Sequence, residues 1–292
     1  VGFNFSYMLT NVNQVLYGWG NDSLLGFRSG TAYSPIQIHN SFQWAQVAAG
    51  NNHVVGIAQT GTLWAWGNNS FGQLSTGNNT HKSSPTLVSS SIWKQFSCGW
   101  CFGVGIQSNG TLWSVGTNSY GRLGINTFGS LTSYFQFYQI GSSLWSQVAC
   151  GGYHTAAIQS NGTLWTWGGN SFGQLGNNSI ALTFSPVQIG SNLWKQVACG
   201  YNHTEVIKTD GTLWSFGYNS NGQLGLSDTT DRWSPVQVGL LFYWNQIFAA
   251  YLIAPFVLFT FFKLFLYVRD FNYITLFLLI GFFGIELFLY TK

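Results

Sequence analysis

The sequence contains very few charged residues. Asp, Glu, Lys and Arg together make up 6% of its 292 residues, with seven acids and ten bases. The acids are scattered along the chain, so no pair of carboxylates has a spacing suited to general acid and base catalysis. The formal net charge of +3 is small and dispersed, whereas a surface that follows a phosphate backbone needs clustered bases. We therefore predict that the protein is not an enzyme and does not bind nucleic acid.

Cysteine is also scarce, with four residues in the chain. Cys98, Cys150 and Cys199 each precede a recurrent glycine where other parts of the chain have alanine, so we interpret them as small buried residues. Only Cys101 departs from this pattern, and one Cys-x-x-Cys pair alone is a weak signal for zinc binding or thiol exchange. No glycine-rich loop has the strand-then-helix context of a phosphate site. We predict no catalytic residue, no cofactor and no metal ligand.

The sequence does contain one repeated unit. The tetrapeptide GTLW occurs at residues 61–64, 110–113, 162–165 and 211–214. A recurrent tryptophan has a similar period. It occurs at Trp44, Trp93, Trp145, Trp194 and Trp244, with spacings of 49, 52, 49 and 50 residues. A period of about fifty residues predicts a repeat architecture.

Each unit is predicted to form four short β-strands. In one unit the apolar runs are residues 185–189, 194–198, 203–208 and 212–217. Pro186 suits only an outer strand, and pairs such as Asn161-Gly162 supply the positive φ of a tight hairpin turn. Four antiparallel strands per repeat indicate an all-β fold: a β-propeller with about five four-stranded blades visible, as a partial or incomplete ring.

The units resemble the regulator of chromosome condensation repeats, whose signature is similar to G-x-x-H-T followed by a G-Q-L-G loop. The resemblance covers residues 2–250, and its most diagnostic loop lies at residues 68–74, 118–124, 170–176 and 219–225. It implies a propeller, typically of seven blades, that acts as a binding platform. It also implies the family's founding activity, nucleotide exchange on the Ran GTPase together with chromatin docking. The low charge and the absence of a long inserted wedge count against that activity here.

The chain opens inside a unit, at Val1, without a methionine. We expect that upstream sequence is missing. A partial ring, a longer natural protein and assembly with other chains all remain open as explanations.

Three histidines, His53, His154 and His203, recur with the repeat, and Phe102 takes their place in one unit. We interpret them as structural imidazoles that bond a neighbouring backbone. A metal site needs ligands that converge, and one histidine per blade does not converge.

Four loop segments vary in sequence while the strands do not. These variable loops are residues 75–84, 125–137, 177–185 and 226–234. We predict a non-enzymatic interaction propeller that binds a protein partner through such loops, without assigning binding to any single side chain. A guanine nucleotide exchange factor for a small GTPase is the alternative, and a carbohydrate-binding or particle-surface adhesin is a weaker one.

The composition changes after residue 246. Residues 247–268 and 271–290 are two apolar runs separated by Arg269-Asp270. Each is long enough to cross about 30 Å of hydrocarbon as a helix. We therefore predict that residues 1–246 form the propeller and residues 247–292 a transmembrane helical hairpin, which makes this an integral membrane protein with the side of the propeller undecided. A frame change or an odd fusion is the other explanation of this segment.

Overall fold

The computed structural model describes residues 5–10, 13–21, 31–38, 43–127, 132–241, 243–249, 275–280 and 285–290. The chain divides into two compact units, residues 1–257 and residues 258–292.

The first unit is an array of antiparallel blades, so the prediction of an all-β propeller fold is confirmed. Blade 1 has β1 (Phe5–Leu9), β2 (Leu16–Asn21) and β3 (Thr31–Gln37). Blade 2 has β4 (Trp44–Ala49), β5 (His53–Ala58), β6 (Leu63–Gly67) and β7 (Lys82–Ser89). Blade 3 has β8 (Trp93–Cys98), β9 (Phe102–Gln107), β10 (Leu112–Thr117) and β11 (Ser133–Gln139). A short 3-10 helix, Ser119–Gly121, follows β10.

Blades 4 and 5 share one long strand. They comprise β12 (Trp145–Cys150), β13 (His154–Gln159), β14 (Thr163–Gly168), β15 (Thr183–Cys199), β16 (His203–Lys208), β17 (Leu213–Gly217) and β18 (Arg232–Gln237). The first half of β15 pairs with β14 and its second half with β16. The two strands predicted here, residues 185–189 and 194–198, both form and pair with different neighbours, and they run on as one strand through Gly190, whose φ is +59°.

The hairpin turns between second and third strands have the predicted backbone. Gly162 and Gly211 have φ values of +88° and +85°, a region that glycine enters without steric cost. In the same turn, the Asn161 Oδ1 atom accepts hydrogen bonds from the backbone nitrogen and the hydroxyl of Thr163, at 3.1 and 2.7 Å. The recurrent Asn-Gly pairs therefore close hairpins, as the sequence indicated.

Tryptophans and leucines fill the wedges between neighbouring blades. Trp145 packs with residues of blades 3 and 4, including Val104, Leu123 and Trp167, and Trp194 packs likewise between blades 4 and 5. Trp44, Trp93, Trp145 and Trp194 are at most 3% exposed. The high aromatic content thus serves inter-blade packing, where large rings bury most area.

The segment after β18 still follows the repeat. Ile247 is buried against Ala198 and Ile207 of blade 5, and its backbone nitrogen donates to Gln196 Oε1 at 3.1 Å. The repeat register therefore persists up to residue 249, beyond the predicted domain boundary.

The second unit contains two strands, β19 (Thr275–Ile280) and β20 (Ile285–Tyr290), which pair antiparallel. The predicted helix over residues 271–290 is therefore wrong for both described segments. Apolar length alone does not distinguish helix from strand, and here two six-residue runs rich in β-branched and aromatic residues flank a Gly-Phe-Phe-Gly segment. The predicted helix over residues 247–268 lies outside the described residues except for 247–249. Within the described residues, no helix has the length and apolar character needed to span a bilayer.

Candidate functional site

The recurrent histidines pack against glycines at the start of the loop between the first and second strands. A Cβ atom built on Gly151 would lie 2.2 Å from His154 Cε1 and 2.7 Å from the carbonyl oxygen of Gly200 in the next blade. Gly50 with His53 and Gly200 with His203 repeat the ring contact. The Gly-x-x-His motif is therefore a close-packed contact between ring and backbone at the junction of consecutive blades.

His154 departs from the prediction of a backbone partner, whereas a backbone hydrogen bond with Phe102 acts on His53. His154 Nε2 bonds the hydroxyl of Thr204 in the next blade at 2.9 Å. His53 faces a blade in which Gly103 occupies the position of Thr204, so that hydroxyl is missing. Burial lowers the pKa of His154 to about 3 and that of His53 to about 4. Both imidazoles are consequently neutral at physiological pH.

The recurrent cysteines are free thiols at the same inter-blade junctions. Cys150 Sγ donates to the backbone oxygen of Ser97 at 3.4 Å, and Cys199 Sγ to that of Ala149 at 3.5 Å. Burial is the main cause that raises the pKa of the Cys150 thiol to about 12 and that of Cys101 to about 11. These thiols are protonated and unreactive at neutral pH. Across the described ranges, no three His, Cys, Asp or Glu side chains come together in a group able to hold a metal ion.

The variable loops lie at one end of the blades, which we call the loop face. The loops between first and second strands share this end, because successive strands run antiparallel. Backbone hydrogen bonds connect the two sets of loops, from Gly169 N to Tyr153 O at 2.8 Å and from Tyr218 N to Asn202 O at 2.9 Å. The loop face therefore combines constant and variable segments in one surface.

A buried asparagine holds each variable loop in place. Asn170 Oδ1 accepts from Leu175 N at 3.0 Å, while its Nδ2 donates to the carbonyl oxygens of Ser179 and Ala181 at 2.8 and 2.9 Å. Equivalent bonds are made by Asn69 and Asn219. The loops therefore differ in side chains while their backbones have a common support.

The loop face carries an aromatic cluster, formed by Trp100, Tyr120, Tyr153 and Tyr201 from blades 3, 4 and 5. Trp100 stacks on Tyr153 with ring centroids 5.8 Å apart, and lies 5.4 Å from Tyr201. Tyr120 and Tyr201 each meet Tyr153 edge-on at 5.4 Å. The Tyr201 hydroxyl donates to the Tyr153 hydroxyl at 2.9 Å. Three blades thus place four rings in one connected patch, with Tyr120 being 53% exposed.

Arg122 supports the aromatic cluster from below. It is only 3% exposed, and its Cζ atom lies 4.8 Å from the centroid of Tyr153 and 5.7 Å from that of Tyr120. A guanidinium over aromatic faces is attracted by the ring quadrupole, more strongly when water is excluded. Its Nε atom also donates to Ser119 O at 2.7 Å. Arg122 replaces the glutamine of the G-Q-L-G loop, so this departure from the repeat lies next to the aromatic cluster.

Sequence reasoning missed the aromatic cluster, although a signal was present. Trp100 and Tyr201 follow the recurrent glycine directly, and Tyr153 precedes the recurrent histidine, where blade 2 has Asn51 and Asn52. Aromatic residues at these non-core positions mark a departure from the repeat that packing does not require. The predicted loops and the cluster share the loop face, whereas the three histidines and three recurrent cysteines lie in the blade junctions.

A further buried group is Glu205 in β16, which is 4% exposed. Its counterparts in other blades are Val55, Val104 and Ala156. Burial raises the pKa of the Glu205 carboxyl to about 8. No hydrogen-bond partner for this carboxyl occurs among the residues that the structure describes. The site suits packing rather than charge, and Glu205 stands apart from the aromatic cluster.

Several known proteins are similar to this chain. The regulator of chromosome condensation (RCC1) repeat matches residues 60–106, 109–158, 161–207 and 210–250. The ultraviolet-B receptor UVR8 of Arabidopsis thaliana is 32% identical over 181 residues, which is 60% of this chain and 41% of that protein. The probable E3 ubiquitin-protein ligase HERC4 of Rattus norvegicus is 31% identical over 195 residues, 63% of this chain and 18% of that protein.

Solved structures show the same fold at lower identity. Human WBSCR16 superposes with a TM-score of 0.76 at 20% identity, covering 86% of this chain and 68% of that one. Prp20p of Saccharomyces cerevisiae gives 0.73 at 17% identity, covering 85% and 65%. The chain thus spans less than half the length of the curated relatives described above. With its repeat units matched over more than half of the sequence, the chain belongs to the regulator of chromosome condensation (RCC1) repeat family.

Proposed function

We propose that this chain is a non-enzymatic propeller that binds a protein partner through its loop face. The observation that supports this most is the aromatic cluster, which joins Trp100, Tyr120, Tyr153 and Tyr201 beside the variable loops. Tryptophan, tyrosine and arginine are the residues that dominate binding energy at protein interfaces. The rings are already fixed by Arg122 and by each other, so little side-chain entropy is lost on binding.

Other propellers of this fold support the same interpretation. Prp20p is described by its binding to Gsp1p and histones, and yeast RCC1 (Prp20) has been solved bound to Kap60. Their identity to this chain is below 20%, so the fold is what they share with it. For this chain a protein partner is our proposal, and its low charge favours an interface of aromatic and neutral polar contacts over a salt-dependent one.

The test is cross-linking of the full chain to its partner, with variants of the partly buried Trp100 and the exposed Tyr120. Trp100→Ser and Tyr120→Ser should each reduce partner recovery at least tenfold, the loss expected for a truncated interface anchor worth about 1.4 kcal/mol or more. The matched control is Leu144→Ser, which removes a side chain of comparable exposure, 52%, from the opposite end of the blades. Equal recovery with all three variants would contradict the proposal.

Nucleotide exchange on a small GTPase is the second candidate, because Prp20p, a propeller of this fold, is described as binding Gsp1p. A nucleotide-release assay with a panel of small GTPases separates the two candidates. Acceleration by the purified chain, lost in Tyr120→Ser, would favour exchange activity over passive binding.

We also propose that residues 247–292 attach the chain to a membrane, on the strength of their apolar composition. The experiment is carbonate and detergent extraction of the full chain against a chain that ends at residue 249. This truncation keeps Ile247, which is buried against blade 5, and so leaves the propeller core intact. Attachment requires that only the full chain resists carbonate. Equal extraction of both chains would leave a frame change or fusion as the explanation of this segment.

A further inference from the structure

A cleft of about 420 Å³ lies between blades 3 and 4. It is lined by Tyr138, Gly141, Trp145, Gln159, Trp165 and Pro186, among others. Small-molecule sites have volumes of roughly 300 to 1,000 Å³ and combine apolar walls with a few polar groups. This cleft shares no residue with the aromatic cluster, so it is a separate feature of the propeller.

Comparison with the neighbouring blade junction explains why the cleft is open. Between blades 2 and 3 the ring of Phe137 lies on Trp93, with centroids 4.8 Å apart, and belongs to the core there. Pro186 occupies the position of Phe137 in the next blade, since both come three residues after the strand residue paired with the ladder glycine. Phe137 is the exception at this position, because Pro35, Pro85 and Pro235 occupy it in the other blades. A proline ring leaves open the volume that Phe137 fills.

A second difference leaves a polar atom without a partner. Trp93 Nε1 donates to Ser89 Oγ at 3.1 Å. Gly141 stands in the place of Ser89, and Trp145 Nε1, buried in a side chain that is 3% exposed, has no hydrogen-bond partner in the described part of the chain. A Cβ atom on Gly141 would meet nothing within 4 Å. The indole nitrogen is enclosed by its neighbours, and Trp194 Nε1 at the next junction is left unpaired in the same way.

A third difference concerns the aromatic wall. Between blades 4 and 5, Lys208 Nζ lies 5.0 Å from the ring centroid of Trp214, the counterpart of Trp165. The residue that corresponds to Lys208 in blade 4 is Gln159, which pairs with Trp145 as Lys208 does with Trp194. The half-buried Trp165 ring therefore has a neutral amide beside it instead of a cation.

We propose that this cleft binds a neutral saccharide unit. None of the described residues that line it is charged, which disfavours ionic ligands. Amide and hydroxyl side chains, including Gln159, both donate and accept hydrogen bonds and so match sugar hydroxyls. The rings of Trp165 and Tyr138 offer apolar faces to the C–H face of a pyranose.

The test is saturation-transfer NMR with titration on the full chain. The probes are the methyl glycosides of glucose, galactose, mannose and N-acetylglucosamine, with glucose 6-phosphate and N-acetylneuraminate as charged counterparts. At least one neutral glycoside should bind with a Kd below about 10 mM, which corresponds to about 2.7 kcal/mol of binding free energy and suits one sugar ring. The charged counterparts should bind at least about tenfold more weakly, because a lining without counter-charges leaves their ions poorly solvated.

Two variants introduce side chains that occupy the equivalent positions of other blade junctions. Gln159→Lys copies Lys208 and should cover Trp165, and Pro186→Phe copies Phe137 and should fill the cleft. Each should weaken binding at least tenfold. The control is Gln107→Lys, the same change one blade earlier, where Phe137 already occupies the junction; it should leave the Kd unchanged. Thermal unfolding of each variant confirms that the fold is retained.

The proposal fails if no neutral glycoside binds. It also fails if Gln159→Lys and Pro186→Phe both keep the original Kd, or if Gln107→Lys weakens binding equally, since the bound sugar then lies elsewhere. Preferential binding of the charged sugars would show that the site does not select neutral ligands.

Discussion

The ring of Tyr201 lies so close to the backbone of Gly152, in the preceding blade, that a Cβ atom on Gly152 would come within 2.4 Å of the ring carbons. The backbone nitrogen of Gly152 also donates to Tyr201 O at 2.9 Å. A glycine at this position therefore lets Tyr201 reach Tyr153, and the aromatic cluster depends on a missing side chain as much as on its rings.

Gly152→Ala should consequently displace Tyr201. We expect a loss of about 1–3 kcal/mol in the free energy of unfolding, typical of an added methyl group in a close-packed contact. The near-ultraviolet circular dichroism of the coupled rings should fall as well. Tyr201→Phe is the control, because it removes only the hydroxyl bond to Tyr153 and should cost about 1 kcal/mol with the ring signal retained. An unchanged spectrum in Gly152→Ala would disprove the contact.

The buried asparagines of the loop face should be far more costly to replace than the exposed ones. Asn170→Ala leaves Leu175 N and two loop carbonyls without their partner, so we expect a loss of roughly 2–4 kcal/mol in denaturant unfolding. Asn161→Ala is the matched control, since this asparagine bonds only within an exposed turn and should cost about 1 kcal/mol or less. Similar losses for the two would mean that the variable loops do not depend on Asn170.

How far the sequence predicts this structure depends on where the repeat is kept and where it is broken. The recurrent tryptophans and hairpin glycines recur because every blade has the same packing problem, and their spacing therefore predicted strands and turns. The continuous strand β15 was not predicted, because Gly190 resembles a turn signal while its neighbours keep an extended chain across two blades.

The aromatic cluster arises where single residues depart from the repeat, and only the fold shows that these residues come together. Trp100, Tyr153 and Tyr201 come from three blades and meet only because the blades are adjacent. The cleft beside Trp145, by contrast, is lined by Gly141 and Pro186, residues that the repeat has in other blades as well, so the sequence alone does not mark it. A single sequence shows these departures but not which of them converge.

The buried histidines should make the folded state less stable as the pH decreases through a defined range. Burial holds the pKa of His154 at about 3 and that of His203 at about 4 in the folded state, below the ordinary value of 6.5. As pH falls below 6.5 the unfolded chain takes up protons that the folded chain does not, so stability is lost between pH 6.5 and about 4. His154→Phe copies Phe102 at the same position. Between pH 6.5 and about 4 it should lose about 2–4 kcal/mol less stability than the unaltered protein.

Urea unfolding at intervals from pH 7.5 to 4 measures that slope. The difference between His154→Phe and the unaltered protein isolates the imidazole, because the carboxylates titrate in both. A slope that is identical in the two proteins would show that folding does not lower the pKa of His154.

Glu205 should act in the opposite direction, destabilising the fold as pH rises. Burial raises its folded pKa from 4.5 to about 8, so between these values the unfolded chain releases a proton that the folded chain retains. Stability is then lost as pH rises from about 4.5 and levels off above pH 8. Glu205→Gln cannot ionise, and its advantage over the unaltered protein should grow across this window to several kcal/mol, on the order of 1.4 kcal/mol for each pH unit.

Denaturant unfolding at pH 5 and pH 8.5 tests this sign directly. The exposed carboxylate Asp210 is the control: its hydrogen bonds to Thr212 lower its pKa, so Asp210→Asn should lose stability at neutral pH where Glu205→Gln gains it. Because valine or alanine fills the position of Glu205 in the other blades, Glu205→Val should be at least as stable as Glu205→Gln at pH 8.5. If both Glu205 variants were instead less stable there, the carboxylate would have to be ionised and held by a partner in the folded chain.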